Sequence, residues 1–323
     1  MRLQFKGGWK VLFLMLLSLS LFITGCSNQV SQNGKSAEIR IGVALPDFDD
    51  KWLSYLQDGM KDYIESQDGA EAIFVDAMND ASKQLSQVET FISQNVDAIV
   101  IVPVDTTSAP TMVELANNAN IPIVVVNRIF DGVDQATAYV GGESIQSGII
   151  QMEKVAELLG GKGNIAIMNG IMGHEAQIKR TEGNKQIIDQ YPDMKVVLEG
   201  NADFDRAKGL TLMENWLNSG VEVDAVVANN DEMAIGAIMA LEAADKLDEV
   251  IVAGIDGTPD ALEYVESGQL SVTVFQDAFG QGYAGLEIAL KAAKGEQVEK
   301  LNYIDYELVT KENLQTYVEK WKK

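Results

Sequence analysis

The amino-acid sequence predicts an α/β fold with two doubly wound lobes, each built on a parallel β-sheet. The chain has 323 residues, which is enough for two domains of ordinary size. From residue 39 onward, short runs rich in β-branched residues alternate with longer amphipathic segments. This alternation pauses near residues 139–142 and then begins again over a similar length, so two lobes explain it more simply than one sheet.

The predicted strands are apolar runs in which polar residues do not alternate. The run IVVV at 123–126 is an example, and such runs are typical of strands buried on both faces of a parallel sheet. Amphipathic segments such as residues 52–66 separate the runs, and this order requires right-handed crossovers. Residues 310–323 predict a final helix with a polar face. Nine strands are predicted, at residues 39–45, 72–77, 98–102, 123–126, 164–168, 195–200, 225–229, 250–254 and 270–275.

Composition and charge exclude several classes of protein. Hydrophobic residues make up 46% of the chain and charged residues 23%, as in an ordinary globular protein. Acidic residues outnumber basic residues 48 to 25, and the resulting formal charge of −23 repels nucleic acid and anionic lipid. One cysteine and one histidine exclude a disulfide framework and a His/Cys zinc site. We therefore expect no nucleic-acid partner, no metal and no cofactor.

The first 25 residues are predicted to be an export signal that is not part of the fold. Basic residues at positions 2, 6 and 10 precede an apolar run at 11–23, which is too short to span a membrane comfortably. Cys26 follows two small residues, and this arrangement resembles the bacterial lipobox, although Ile23 stands where leucine is usual. We predict that Cys26 carries a lipid anchor, the protein's one attachment to the membrane, and that residues 26–37 form a polar tether.

Polar and aromatic side chains follow nearly every predicted strand. Open parallel sheets bind their ligands beyond the carboxyl ends of the strands, so these residues are candidates for a single site. Amides, carboxylates and guanidinium groups bind neighbouring hydroxyl groups, and aromatic faces stack on the C–H face of a sugar ring. The sequence contains neither GxGxxG nor GxxxxGKS/T, so phosphate binding is poorly supported. The candidates are Asp50, Trp52, Asn79, Asn127, Arg128, His174, Phe204, Asn230, Asp256 and Gln276.

Several of these residues also have an ordinary structural interpretation. Asp256 could cap a helix, although its place at a strand end favours ligand contact. Of the next pair of polar residues, Asp231 is predicted to be the helix cap and Asn230 the ligand group. His174 could cap a helix beside a glycine, and the two aromatic candidates could belong to the core.

Four longer stretches carry a family resemblance. They are NDASKQLSQVETFISQNVDAIVIVP (79–103), NADFDRAKGLTLMENWL (201–217), NNDEMAIGAIMALEAA (229–244) and VAGIDGTPDALEYVESGQL (252–270). Each is similar to part of the periplasmic sugar-binding proteins of the ribose-binding type, which serve ABC importers and share their two-lobe fold with sugar-responsive repressors. The resemblance covers roughly residues 38–310, and NDEMAIGA and IDGTPD are its most specific motifs.

The resemblance implies the type I fold of periplasmic binding proteins. In that fold a hinge of several strands joins the lobes, and here the hinge is expected near Gly141, Gln276 and Tyr303. The implied N-terminal lobe consists of residues 38–141 and 277–303, and the implied C-terminal lobe of residues 142–276 and 304–323.

The resemblance also implies ligand contacts for single residues. Arg180 lies inside a predicted helix, where an arginine is often only solvated, but it matches the site arginine of the family. The implied contacts are the stacking rings Trp52 and Phe204, the carboxylates Asp50 and Asp256, the amides Asn79, Asn127, Asn230 and Gln276, and the arginines Arg128 and Arg180.

His174 bears on the kind of ring that is bound. It lies six residues before Arg180, a spacing similar to that of glucose/galactose-binding relatives, whose calcium loop is not evident here. The stretch TVFQDAFGQG (273–282) resembles inositol- and rhizopine-binding relatives. These features favour a six-membered ring, either a hexopyranose or a cyclitol, over ribose.

The predicted function is capture of a neutral sugar or cyclitol by a lipid-anchored, extracytoplasmic solute-binding protein of an ABC importer. The partners are then the ligand and the membrane permease. One alternative is a receptor that presents its ligand to a chemoreceptor or a sensor kinase. Another is an extracellular carbohydrate-active enzyme, since Asp50 and Asp256 could face each other across a cleft. We expect no enzyme activity, because nothing in the sequence supplies the acid that such an enzyme needs.

Overall fold

The computed structural model describes residues 39–322. The predicted signal peptide at 1–25, Cys26 and the tether at 26–37 lie outside these residues, so these three predictions stay untested. Of the helices within residues 39–322, none is long and apolar enough to cross a membrane.

The described residues contain twelve β-strands and ten α-helices. The strands are β1 (Ile39–Leu45), β2 (Ala70–Asp76), β3 (Ala98–Ile101), β4 (Ile123–Val126), β5 (Ala138–Gly141), β6 (Lys162–Asn169), β7 (Asp193–Asn201), β8 (Ala225–Ala228), β9 (Ile251–Ala253), β10 (Thr273–Phe275), β11 (Leu301–Tyr303) and β12 (Glu307–Val309). The helices are α1 (Lys51–Glu65), α2 (Ala81–Ser93), α3 (Ala109–Asn118), α4 (Ser144–Leu159), α5 (Glu175–Ile188), α6 (Arg206–Ser219), α7 (Asp231–Ala243), α8 (Pro259–Ser267), α9 (Ala278–Ala293) and α10 (Leu314–Lys320).

The first sheet has six parallel strands in the order β11–β5–β4–β3–β1–β2. Alternate residues of β4 pack into different hydrophobic clusters. Val124 and Val126 pack with α1 and α9 on one face, and Ile123 and Val125 pack with α2 and α3 on the other. Because helices cover both faces, every residue of β4 is buried, which explains the absence of polar alternation in the sequence.

The second sheet has four parallel strands in the order β7–β6–β8–β9. The antiparallel pair β10–β12 extends its edge through parallel bridges from Ala253 to Val272 and from Asp256 to Phe275. Helices α6, α7 and α8 contribute to the cluster on one face, and α4 and α5 contribute to the cluster on the other. The predicted α/β class with parallel sheets is confirmed.

The chain passes between the two sheets three times, after β5, after β10 and after β11. We call the segments packed on the first sheet the first lobe and those packed on the second sheet the second lobe. The outer two crossings touch, since the N–H of Ile304 donates to the carbonyl of Gly141 at 2.8 Å. A Cβ on Gly142 would meet the Tyr306 ring and the Ile304 carbonyl, so glycine permits this close approach. The residue boundaries of the lobes stay a prediction.

Three strands were not predicted from the sequence. The pause near residues 139–142 is β5, a buried strand of the first sheet that a short 3₁₀ helix, instead of an α-helix, separates from β4. Strands β11 and β12 have only three residues each, too few for a recognisable apolar run. The final helix is shorter than predicted, because the Asn313 side chain accepts from the Thr310 N–H at 2.9 Å and forms a turn before it.

Candidate functional site

A cavity lies between the two lobes, at the carboxyl ends of the strands of both sheets. Its volume is about 80 Å³. Ten of the eleven residues predicted to bind ligand line it. The lining residues are Asp50, Lys51, Trp52, Leu53, Asn127, Arg128, His174, Ala176, Arg180, Phe204, Asn230, Glu232, Asp256, Thr258 and Gln276.

Asp50 and Arg128 form the charged part of the first-lobe wall. Asp50 is the N-cap of α1, where its Oδ1 accepts from the Leu53 N–H at 2.9 Å. Arg128 follows β4, and its Nη1 donates to the carbonyls of Pro103 at 2.6 Å and Val104 at 2.8 Å. Burial raises the pKa of Asp50 and lowers the pKa of Arg128 to about 10, although each charge opposes the other's shift. Hydrogen bonds to the main chain thus hold both side chains in place.

Arg180, Asp256 and Gln276 form the charged part of the second-lobe wall. Arg180 Nη1 donates to the carbonyl of Asn229 at 2.6 Å and to Asp256 Oδ1 at 3.4 Å, and its Nη2 donates to Gln276 Oε1 at 2.7 Å. Arg180 is 4% exposed, so it is not the solvated helix arginine of the alternative interpretation. Burial raises the pKa of Asp256 well above its ordinary value, although Arg180 pulls it down. These three side chains form one buried network.

Asp256 has an unusual backbone conformation. Its φ of 134° lies in a region that residues other than glycine rarely adopt. It does not cap α8, because the N-cap of that helix is Thr258, whose hydroxyl accepts from the Ala261 N–H at 3.3 Å. The structural alternative for Asp256 is therefore wrong, and its carboxylate is left to Arg180 and the cavity.

Aromatic rings form the remaining walls. The rings of His174 and Phe204 meet edge to face, with centroids 5.3 Å apart and planes at 77°. Phe204 lies so close to Gly170 that a Cβ there would overlap its ring. The indole Nε1 of Trp52 is buried and has no hydrogen-bond partner among residues 39–322.

His174 is both a helix cap, as one interpretation predicted, and part of the cavity wall. It is the N-cap of α5, where its Nδ1 accepts from the Ala176 N–H at 3.1 Å, and it also lines the cavity. Burial, with Arg128 and Arg180 nearby, lowers its pKa to about 2, so the ring is neutral at physiological pH. Because Nδ1 accepts a hydrogen bond, the hydrogen-bond pattern assigns the proton to Nε2. His174 therefore offers a donor that does not titrate.

The cap at the start of α7 differs from the prediction. Asn230 itself is the N-cap: its Oδ1 accepts from the Met233 N–H at 3.0 Å, and its Nδ2 donates to the Phe204 carbonyl at 3.3 Å. Asp231 is fully buried behind the site, where it bonds Thr273 and Thr258. Asn230 still lines the cavity, but its amide already has protein partners.

Asn79 is the predicted residue that does not line the cavity. Its side chain is exposed, and its Nδ2 donates to Asp47 Oδ2 at 2.6 Å. Its backbone is left-handed, with φ 56°, and so is that of Met78 at φ 55°. This turn directs Asn79 toward the β1–α1 loop, and the chain position after β2 alone could not reveal it.

Sequence reasoning missed five residues that line the cavity: Lys51, Leu53, Ala176, Glu232 and Thr258. Two of them are charged. Lys51 in the first lobe lies 3.9 Å from Asp260 of the second lobe, and Glu232 accepts two hydrogen bonds from Arg206. Both could have been found from their neighbours in the sequence, since Lys51 stands between two predicted residues and Glu232 lies inside the NDEMAIGA motif. In residues 39–322 no cluster of three or more His, Cys, Asp and Glu side chains could hold a metal ion.

Comparison with known proteins finds relatives along nearly the whole chain. Residues 41–297 match the periplasmic binding protein domain family. A Rhizobium meliloti protein whose name proposes rhizopine as its ligand is 43% identical over 299 residues, 91% of this chain and 97% of the relative. The ribose import binding protein of Bacillus subtilis is 35% identical over 293 residues, 88% of this chain and 94% of the relative.

A solved structure is more similar in sequence than either relative. It is an ABC transporter solute binding protein from Bacillus halodurans with bound myo-inositol, and it is 60% identical to this chain. The similarity covers 89% of this chain and 99% of that protein, with a TM-score of 0.86.

These similarities decide between the classes of protein that the sequence left open. The relatives are solute-binding proteins, which confirms the prediction of a binding protein instead of an enzyme. The predicted resemblance to the sugar-binding proteins of ABC importers is confirmed, and so is a location outside the cytoplasm. The chain is therefore a member of the periplasmic binding protein family.

Proposed function

We propose that this protein captures a neutral cyclitol, myo-inositol, between its two lobes and delivers it to an ABC importer in the membrane. One observation carries the proposal: three carboxylates (Asp50, Glu232 and Asp256) and three basic side chains (Lys51, Arg128 and Arg180) line the cavity. Asp50 and Arg128 lie on the first-lobe side, and Asp256 and Arg180 lie on the second-lobe side. Their charges balance, which suits a ligand without net charge.

The hydrogen-bonding atoms of the cavity suit a ring that carries many hydroxyl groups. N–H donors come from Arg128, Arg180 and His174, which all line the cavity. Asp50 and Asp256 supply acceptors. A hydroxyl group both donates and accepts, so a polyhydroxylated ring can satisfy both kinds of atom at once. An analogue that lacks one hydroxyl would leave a buried group unpaired and would bind more weakly.

The walls of the cavity favour a single six-membered ring. Trp52 and Phe204 provide aromatic surfaces for the C–H faces of such a ring. The structure with bound myo-inositol is 60% identical to this chain, whereas the ribose import relative is 35% identical. The relative named for rhizopine, at 43%, lies between them.

A panel of ligands tests the proposal. Thermal unfolding is measured with myo-inositol, glucose, galactose, xylose and ribose, each at the same concentration. We expect myo-inositol to raise the midpoint most, by about 5 °C or more when it is present at one hundred times its Kd. An Asp256→Asn variant should lose most of this shift, whereas a Lys61→Gln variant, on the outer side of α1, should keep it. No shift with myo-inositol, or a larger shift with ribose, would overturn the proposed ligand.

Ligand capture is proposed to proceed by closure of the lobes around the hinge. The three crossings are short, and two of them are hydrogen bonded to each other, so they can bend as one unit. Closure brings both walls against the ligand and excludes water. Small-angle X-ray scattering should record a smaller radius of gyration after addition of myo-inositol, and an unchanged radius at saturating ligand would contradict closure.

Export and anchoring complete the proposal. The lipobox-like sequence places Cys26 at the start of the mature chain, where a lipid on the sulfur would hold the protein at the outer face of the cell membrane. A Cys26→Ala variant should leave the membrane fraction, and its retention there would contradict the lipid anchor.

A further inference from the structure

Asp231 is a buried carboxylate that the proposed site does not use directly. It is fully buried and does not line the cavity, yet it lies next to Asn230, which does. Its Oδ1 accepts from the Thr273 hydroxyl at 2.7 Å, and its Oδ2 accepts from the Thr258 N–H at 3.1 Å. Burying a carboxylate is costly unless it is hydrogen bonded, and both oxygens of Asp231 have a partner.

The two partners of Asp231 both belong to or contact the segment that carries Asp256. The Thr258 N–H belongs to the turn Ile255–Thr258, which carries Asp256 at its φ of 134°. The Thr273 hydroxyl, which donates to Asp231, also accepts from the Gly257 N–H at 3.2 Å. The N–H of Asp231 itself donates to the Ile255 carbonyl at 2.8 Å. Asp231 thus contacts the turn at both ends and, through Thr273, at its centre.

The strained conformation of Asp256 needs such a restraint. A non-glycine residue is strained in this region of φ and persists there only where its surroundings enforce it. Strand β10 also holds the turn through its main chain, since the Asp256 N–H donates to the Val274 carbonyl at 2.8 Å and its carbonyl accepts from the Gln276 N–H at 3.0 Å. These main-chain bonds restrain Asp256 itself, and the bonds of Asp231 restrain the residues on both sides of it, Ile255 and Thr258.

We propose that Asp231, acting through Thr273, is a positioning residue for the ligand: it holds the Ile255–Thr258 turn so that Asp256 presents its carboxylate to the cavity beside Arg180. This inference rests on the proposed function, because it assigns Asp256 a ligand contact. It predicts that affinity depends on a hydroxyl group at Thr273, a residue that does not line the cavity.

The test compares substitutions at Thr273, because Asp231→Asn would put an amide N–H where a carboxylate oxygen now accepts and so would destabilise the whole second lobe. Thr273→Val removes the hydroxyl and keeps the shape, whereas Thr273→Ser keeps the hydroxyl. By calorimetric titration with myo-inositol, we expect the valine variant to bind about tenfold more weakly and the serine variant to bind within about twofold of the unchanged protein. The control is Asp224→Asn: Asp224 also holds a main-chain N–H, that of Asn164 at 2.6 Å, and it does not line the cavity. We expect this control to keep its affinity.

The same substitution in an Asp256→Asn protein separates positioning of Asp256 from a general effect on stability. If Asp231 and Thr273 act through Asp256, Thr273→Val should change the affinity little in a protein that already carries Asp256→Asn. A tenfold loss that persists in that background, or an unchanged affinity in the single valine variant, would overturn the proposal.

A readout without ligand keeps this inference distinct from the proposed function. In a crystal structure of ligand-free Thr273→Val protein, we expect Asp256 to leave its positive φ and to lose its contact with Arg180. Retention of both would refute the positioning role, whatever molecule the cavity binds. If myo-inositol does not bind to the unchanged protein, the proposed ligand is wrong, but the crystal structure still decides whether the Thr273 hydroxyl, which links Asp231 to Gly257, holds Asp256 in place.

Discussion

The two walls of the cavity hold their arginines in different ways. On the first-lobe side, Arg128 Nη1 bonds two main-chain carbonyls, and the nearby Asp50 caps a helix. On the second-lobe side, Arg180 bonds Asp256 and Gln276 directly, in a network whose members are all almost fully buried. Arg180 also donates to the Asn229 carbonyl, so the second wall is preorganised both by the main chain and by bonds among its own side chains. No such side-chain bond joins Asp50 to Arg128 in the first wall, and a ligand can join them. This difference suits a site in which one lobe is largely assembled and the other completes it on closure.

The largest effect that this comparison predicts is on stability. Arg180→Gln leaves Asp256 buried without its cationic partner, so we expect a loss of about 3 kcal/mol in the free energy of unfolding. Arg128→Gln should cost clearly less, because the glutamine amide can still donate to one of the carbonyls that Arg128 bonds. Chemical denaturation of both ligand-free variants measures the difference. Equal losses would show that the two walls are organised alike.

A glycine at the second wall gives the next largest effect. Gly170→Ala adds a methyl group where the Phe204 ring lies, so the ring must leave its place in the cavity wall. We expect about a tenfold loss of affinity for myo-inositol, measured by titration calorimetry. Gly200→Ala is the matched control, since its new methyl would meet Leu212 in the core of the same lobe. A loss of affinity as large in the control would assign the effect to general strain.

His174 predicts a pH dependence of stability. Its folded pKa of about 2 lies far below the ordinary value of 6.5, so below pH 6.5 the unfolded chain takes up a proton that the folded chain does not. His174 therefore lowers the free energy of unfolding of the protein by roughly 1 to 2 kcal/mol as the pH falls from 7.5 to 5. His174→Asn keeps a helix cap and does not titrate. The unfolding midpoint of the unchanged protein should fall relative to that of the variant over this range, and parallel pH profiles would contradict the assignment.

The smallest effect is expected at Asn79, the predicted ligand residue that lies outside the cavity. Asn79→Ala removes an exposed hydrogen bond to Asp47 and should change the affinity for myo-inositol by less than twofold. Titration calorimetry on the purified variant measures it. A loss of tenfold or more would show that the β2–α2 turn moves into the site when the ligand binds.

The sequence predicts the location of the site better than its internal bonding. Strand ends in a parallel sheet must converge on one edge, so Asp50 and Arg128 could be predicted to meet in the first lobe from chain position alone. Asp256 belongs to the second sheet, and only the two-lobe fold predicts that it faces them. Bonding between side chains depends on angles that no pattern encodes. Asn230 and Asp231 illustrate this, because both are good helix caps and the sequence does not show which of them caps the helix. In the structure Asn230 is the cap and Asp231 is buried.

The sequence also failed to predict short strands. Strand β5 has four residues and follows a loop instead of a helix, so the expected strand–helix alternation concealed it. Strands β11 and β12 owe their existence to neighbours distant in the chain, such as Tyr139 for β11 and Thr273 for β12. Local propensity cannot reveal pairing of this kind.

The central claim is that both walls bind one neutral cyclitol together. A crystal structure of the protein grown with myo-inositol tests this claim most directly. We predict a single ring in the cavity, with hydroxyl groups within hydrogen-bond distance of Asp50 or Arg128 on one side and of Asp256 or Arg180 on the other. A ring bound to one wall only, or an empty cavity at saturating myo-inositol, would contradict it.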